Sequence, residues 1–311
     1  MKKRILTRLA TSFIAVCGIM ILVFLMIHAI PGDPVDNLLG EQATAVDREN
    51  MRRNMNLHLP MGKQFVLFLK NTFNGTLGKS FVYPGRTVAS MIGEVFPHTL
   101  ILAFLSLLLA ITFAIPLGVI AAINRGKWPD TLAMGIAMAG ISMPSVWLGP
   151  LLVLAFCIYF QLLPPPGVSQ GFAGIILPSV TLASALMAML ARITRSSMLE
   201  VLSQPYITAA LSRGLPRRHV ILRHALPNAL IPVSTVIFLQ FGALLSGAVI
   251  VEKIFARPGM GSLLLSAISQ RDYPVIQGTV LIMAICVVFV NILSDFAYTL
   301  IDPRLRTGGD R

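Results

Sequence analysis

Residues 131–191 contain no Asp, Glu, Lys or Arg, and this run constrains the fold more than any other feature of the chain. An α-helix rises about 1.5 Å per residue, so one helix of this length would cross the hydrocarbon core of a bilayer about three times over. The run must therefore turn back, and Pro164-Pro165-Pro166-Gly167 is the place where proline and glycine break it. It predicts two membrane-spanning helices joined by a turn.

Four more runs without charged residues lie at 9–30, 95–124, 225–251 and 273–294. Apolar residues make up 55% of the chain and charged residues only 12%, about half of the charged fraction typical of a soluble domain. The basic residues before the first run resemble the start of a secretory signal peptide, but the apolar run is too long and no A-x-A cleavage site follows it. The sequence thus predicts an all-α integral membrane protein with about six transmembrane helices.

The net charge of +12 indicates topology in this chain and not nucleic-acid binding, because the charges lie in the segments between apolar runs. Cytoplasmic segments of membrane proteins are enriched in Lys and Arg, chiefly in short loops. With the N-terminus inside, the inner segments carry more Lys and Arg than the outer ones, and most of the outer basic residues lie in one long loop. Both termini are therefore predicted to be cytoplasmic.

The long outer loop, residues 31–94, has the mixed charge and amphipathic pattern of a small helical structure on the membrane surface. Helices are predicted at 46–57 and 65–73, and loops follow at Gly75, Gly78, Pro84 and Gly85. In terms of domains, the chain divides into the first span with this segment (1–97), a five-helix core with an inner loop at 204–224 (98–303), and a cytoplasmic tail (304–311).

The predicted spans offer few residues that could catalyse a reaction or bind a metal ion. Asp295 is the only acidic residue inside a predicted span, and it lies near the inner interface, so the midplane holds no ionisable residue of the kind that marks a proton-coupled carrier or an intramembrane protease. The histidines show no metal-ligand spacing on one helix face, and they are interpreted as interfacial or loop residues: His28, His58, His98, His219 and His224. The string from Gly75 to Ser80 lacks the first glycine of a phosphate-binding loop.

Polar side chains within the spans have two open interpretations: they could line an aqueous pathway or form hydrogen bonds between helices. The candidates for the pathway are Ser142, Ser145, Gln240 and Ser246.

The loop between the fourth and fifth spans carries the most specific pattern. It predicts a short helix from Tyr206, a break at Gly214, a restart at Pro216, and a basic second helix that enters the next span. A helix–turn–helix of this kind on the inner face is suited to docking into a groove of a partner protein.

Its spacing resembles the EAA coupling motif of binding-protein-dependent ABC importer permeases, which reads E-A-A, three residues, G, nine residues, I-x-L-P. The positions in register are Ala209, Ala210, Gly214, Leu226 and Pro227. Two positions depart from the motif, since Thr208 replaces its first glutamate and His224 replaces its isoleucine.

Further motifs follow in the order expected of the same family, and together they resemble the B-type permease of the dipeptide, oligopeptide, glutathione and nickel importers. They are Pro31-Gly32-Asp33-Pro34, Val251-Glu252-Lys253-Ile254-Phe255, Pro258-Gly259-Met260-Gly261, Arg271-Asp272-Tyr273-Pro274-Val275-Ile276-Gln277, and Asp302-Pro303-Arg304.

The resemblance implies a type I ABC importer fold in the bacterial inner membrane and a non-catalytic subunit that binds no cofactor itself. A second permease, two cytoplasmic ATPases that use ATP and Mg, an external substrate-binding protein and membrane lipid are the implied partners. It assigns contact with the ATPase to Tyr206, Thr208, Ala209, Ala210, Arg213, Gly214, Leu215, Arg217 and Arg218. The arginines could equally serve topology alone.

The resemblance also suggests an outer gate or a contact with the binding protein at Glu252, Phe255, Pro258 and Gly259, although a structural turn explains this segment equally well. The substrate stays open between peptides, glutathione, nickel and another small solute. An intramembrane enzyme and a self-sufficient secondary carrier are the alternatives from other functional classes, and the coupling motif disfavours both.

Overall fold

The structure, a computed structural model, describes residues 2–29, 34–39, 43–167 and 171–301. Within these ranges the regular elements are helices, together with one isolated antiparallel bridge between Lys79 and Thr87. The chain folds into two compact units, one of residues 1–100 and 258–288, the other of residues 101–257 and 289–311.

The first unit contains five whole helices and parts of two long ones. The whole helices are α1 (Lys2–Ala29), α2 (Pro34–Leu39), α3 (Ala45–Asn54), α4 (Met61–Phe73) and α12 (Met260–Gln270), and the long helices are α5 (Val88–Ile123) and α13 (Tyr273–Ile301).

Aromatic contacts hold the outer helix α4 against α1. Phe24 of α1 lies 5.1 Å from Phe65 between ring centroids, and both pack with Phe68, which is buried. The two helices predicted in the outer segment are confirmed, with shifted ends. Helix α3 begins earlier because Thr44 and Asp47 form a capping box, and α4 begins at Met61, directly after Pro60.

A buried carboxylate fixes the loop between α4 and α5. Asp272 is 1% exposed and accepts hydrogen bonds from the Ser80 hydroxyl and from the Phe81 N–H, the latter at 3.0 Å. Ser80 in turn accepts the Tyr83 N–H at 2.9 Å. The string that superficially resembles a phosphate-binding loop therefore ends in a turn anchored on the α12–α13 junction.

Replacing Asp272 by alanine should open this loop, because the buried Ser80 hydroxyl and Phe81 N–H would both lose a partner. Each unsatisfied buried group costs about 1–3 kcal/mol. We expect trypsin to cleave after Lys79, which is exposed, at least tenfold faster in Asp272→Ala than in the native chain. Glu94→Ala is the control because the Arg86–Glu94 ion pair is exposed. Equal cleavage rates in all three proteins would contradict the anchoring role.

The second unit contains the remaining helices and the other parts of α5 and α13. Its whole helices are α6 (Trp128–Ser142), α7 (Ser145–Val153), α8 (Phe172–Leu202), α9 (Pro205–Ser212), α10 (Arg217–His219) and α11 (Leu226–Ile254). Two π-helical turns complete it, Leu154–Tyr159 after α7 and Val220–Ala225 before α11.

The third predicted span is not one helix. It consists of α6 and α7 with its π-helical turn, and these two parts meet at an angle of 101°. The break falls at Met143-Pro144, where proline lacks an N–H and forces the preceding residue out of the helical region, to φ −101 and ψ 110. The described residues hold five helices long and apolar enough to cross a membrane, or six if the bent pair is one span.

Glycines allow α5 and α6 to approach α8 closely. A Cβ built on Gly118 would lie 2.5 Å from Thr194 Cβ and 2.7 Å from the Ala191 carbonyl oxygen, and one built on Gly140 would lie 2.8 Å from the Ser184 carbonyl oxygen. Small residues at such contacts are typical of helix packing in membranes. The turn between α7 and α8 contains Gly167 at φ +79, as the run of prolines and glycine predicted.

Candidate coupling site

A single buried side chain anchors α9, the short helix of the predicted inner loop. Ile207 is 2% exposed and packs in a cluster that joins the end of α5, the end of α8 and the start of α11. The other buried members of this cluster are Ala122, Met198, Val220, Ile221, Ala225 and Ala229. The helix is thus fixed to three long helices through one face.

The opposite face of α9 and the turn after it are exposed. Of the residues assigned to coupling, Ala210 is half-buried, and the rest are exposed: Tyr206, Thr208, Ala209, Arg213, Gly214, Leu215, Arg217 and Arg218. Exposed Leu211 lies among them, so the surface combines apolar and basic side chains. Such a surface matches a groove that has an apolar floor and acidic rims.

The turn after α9 is a Schellman motif. Gly214 has φ +82, its N–H donates to the Leu211 carbonyl at 2.9 Å, and the Leu215 N–H donates to the Ala210 carbonyl at 3.4 Å. This conformation strongly favours glycine. The chain then restarts as α10 after Pro216, as predicted.

A side-chain bond ties the start of α9 to the start of α11. The Asn228 amide donates to the Tyr206 hydroxyl at 3.2 Å and to the His224 carbonyl at 2.8 Å. His224 also contacts His219, with ring centroids 5.7 Å apart. No group of three or more His, Cys, Asp or Glu side chains at metal-binding distance occurs among the described residues.

The candidate pathway residues fall into two places in the second unit. Ser142 and Ser145 flank the break between α6 and α7, and the exposed Ser142 hydroxyl donates to the Met138 carbonyl of its own helix at 2.9 Å. Gln240 of α11 is half-buried, and its amide lies 3.0 Å from the sulfur of Met189 on α8. The side chain of Ser246 lies outside the described residues.

The candidate outer-gate segment is mostly buried. Glu252, Phe255 and Gly259 are buried and Pro258 is half-buried, while Phe255 packs in an apolar cluster with Cys157 and Leu177. Burial also lowers the pKa of the neighbouring Arg257, partly offset by the charge of Glu252. These observations favour the structural turn as the main role of the segment. The motifs at Pro31-Gly32-Asp33 and Asp302-Pro303-Arg304 and the side chain of Asp295 lie outside the described residues.

The sequence did not predict one ion pair close to this site. Arg195 of α8 forms a bidentate pair with Asp130 in the first turn of α6, at 2.6 and 2.7 Å. By sequence alone, Asp130 lies just outside the third predicted span, and Arg195 is one of several topology charges. The available indication is position, because Asp130 directly precedes the uncharged run 131–191 and Arg195 is the fourth residue after it.

Solved structures identify the fold. A methionine ABC transporter, MetNI, in an inward-facing conformation aligns with a TM-score of 0.56 and 17% identity, over 68% of this chain and 96% of that one. An amino acid ABC transporter aligns with a TM-score of 0.54 and 16% identity, over 68% and 94%. The chain therefore has the fold of an ABC importer permease.

Sequence comparisons identify the family. Residues 1–115 match the model of the N-terminal region of binding-protein-dependent transport system membrane components, and residues 114–307 match the model of the inner membrane component itself. This chain belongs to that family.

Known permeases match nearly the whole chain. The glutathione transport system permease protein GsiC of Escherichia coli O6:H1 is 41% identical over 304 residues, 98% of this chain and 97% of that protein. GsiC of Shigella dysenteriae serotype 1 is 40% identical over the same shares. The expected resemblance to an ABC importer permease is confirmed, and this class of protein works with ATPases, a second permease and a binding protein.

Proposed function

We propose that this chain forms half of the translocation pathway of an ATP-driven importer for small peptides of the dipeptide, oligopeptide or glutathione kind. The similarity to glutathione permeases over nearly the full length of both chains supports this substrate class. The external binding protein selects the substrate, and this chain provides the route through the inner membrane.

The coupling role rests on one observation. One face of α9 is exposed, while the side chain of Ile207 on its other face is buried. A helix held through Ile207 and its cluster on one side can insert its other face into a partner while the buried side moves with the long helices. Arg213, Arg217 and Arg218 then pair with acidic residues at the rim of the ATPase groove. ATP and Mg bind in those ATPase subunits, and their closure pulls on α9.

In this proposal the loop 204–224 and both termini face the cytoplasm, and residues 31–94 face the binding protein. Ser142 and Ser145 contribute to the pathway at the break between α6 and α7, where backbone groups freed from the helix need polar surroundings or water. Gln240 and Ser246 contribute from α11. The segment from Glu252 to Gly259 supports the outer mouth as a turn.

The first test is co-purification of this chain in mild detergent from the cells in which it occurs, with any ATPase, second permease and binding protein that associate with it. We expect an assembly of this chain with a second permease and two ATPases, and ATP-dependent uptake of radiolabelled glutathione or dipeptide after reconstitution into vesicles. Purification of this chain without any ATPase, or uptake by this chain alone, would overturn the proposal. Uptake of nickel but not of peptides would change the substrate class only.

A further inference from the structure

The ion pair between Asp130 and Arg195 is bidentate, so its geometry is well defined. Arg195 Nε lies 2.6 Å from one carboxylate oxygen and Nη2 lies 2.7 Å from the other. The second oxygen also accepts the Gly126 N–H at 3.0 Å. Asp130 is 6% exposed, so water has little access to its side of the pair. A planar fork of this kind fixes both the distance and the orientation between two helices.

The two partners occupy informative positions along the chain. Arg195 lies in the last third of α8, and only Ser203 and Gln204 separate the end of α8 from α9. Asp130 lies in the first turn of α6, which leads to the break at Met143-Pro144. A second close contact, between Gly140 and the Ser184 carbonyl, joins the other end of α6 to α8.

Topology alone does not explain Arg195. A cation that serves only to orient a span extends its charge toward water or lipid phosphate, as the exposed Arg192 can do one turn earlier on α8. The side chain of Arg195 is 29% exposed and is neutralised by a buried carboxylate. Taking two charges out of water costs free energy that an exposed topology charge does not cost. We therefore look for a more specific role for this pair.

We propose that Asp130 and Arg195 are positioning residues that make α6 follow α8, so that movement of α9 by the ATPases reaches the bent third span. The inference rests on the proposed coupling role of α9. When closure of the ATPases displaces α9, α8 moves with it, and the ion pair carries the first turn of α6 along. The force then acts on the first turn of α6. The last turn of this helix ends at the break at Met143-Pro144, which Ser142 and Ser145 flank.

The test measures the number of substrate molecules imported per ATP hydrolysed by the full complex in vesicles. Asp130→Asn keeps the shape of the side chain but removes its charge, and Arg195→Lys keeps the charge but removes the fork. We expect each to lower this ratio about tenfold while ATP hydrolysis continues, and the double variant to be no worse than either single one. Arg192→Lys is the matched control on the same helix and should keep the ratio within about twofold.

The outcomes separate the possible roles. An unchanged ratio in both single variants would overturn the inference, and so would a parallel loss of import, hydrolysis and assembled complex, because that pattern assigns the pair to folding. Additive effects in the double variant would show that the residues act independently, which also contradicts it. Failure of the proposed function itself would be seen in the native complex, as absence of an ATPase or of peptide import.

Discussion

Replacing Gly214 by valine should release the ATPase subunits from the purified complex. Gly214 closes the Schellman turn after α9 at φ +82, and the left-handed region costs an L-residue about 1–2 kcal/mol, with more for a β-branched side chain. The turn will then open, and the exposed residues on both sides of it will lose their common arrangement. We expect at least a tenfold loss of ATPase per permease after detergent purification, and a corresponding loss of import.

Gly214→Asn is the control that separates backbone conformation from side-chain bulk. No atom lies within 4 Å of a Cβ added at this position, so the Cβ of either substitution has space beside the chain. Asparagine adopts the left-handed conformation far more readily than valine does. The asparagine variant should therefore keep most of the bound ATPase.

Equal ATPase binding by the valine and asparagine variants would contradict the role assigned to this turn. If both bind normally, the contact does not depend on the conformation at Gly214. If both lose the ATPase, the partner needs the absence of a side chain at this point. The yield of the permease pair, measured in the same preparation, shows whether the membrane segments still assemble.

The spans and the helix, turn and restart of the candidate coupling loop could be predicted from sequence because each depends on local chemistry. A run without charged residues, such as 131–191, indicates membrane-spanning segments by its composition alone. Gly214 followed by Pro216 favours a turn whatever the distant residues are. Pro144 also indicates a break from the local sequence. The length and apolar composition of the segment nevertheless resemble those of one continuous span. The 101° bend shows that the proline outweighs them.

The pairs Asp130–Arg195 and Ser80–Asp272 could not be predicted in the same way. Their members are far apart along the chain, and every one of these residue types is also common in exposed loops. Only the packing of α6 on α8, or of the outer loop on the α12–α13 junction, brings them together. The burial of Glu252 and Phe255 likewise depends on the folded chain, although their motif is evident in the sequence.

Adding one methyl group should have opposite effects at two glycines of α5, and this is the sharpest test of the packing in the second unit. At Gly118 a Cβ would lie 2.5 Å from Thr194 Cβ and 2.7 Å from the backbone oxygen of Ala191, and a backbone atom of a packed helix cannot move aside cheaply. We expect Gly118→Ala to destabilise the fold by about 1–3 kcal/mol, the usual range for overpacking. Gly118→Leu should leave almost no monodisperse protein.

At Gly93 the same substitution meets no atom within 4 Å, so the helix only gains the better propensity of alanine, worth up to about 1 kcal/mol. Thermal unfolding of the detergent-solubilised complex, followed by size-exclusion chromatography of the heated samples, measures both changes. A lower midpoint for Gly118→Ala with an equal or higher midpoint for Gly93→Ala is the expected result. If Gly118→Ala is as stable as the native protein, α5 and α8 do not approach each other as closely as the structure describes. The apolar cluster of α5, α8 and α11 that holds Ile207 must then be arranged differently.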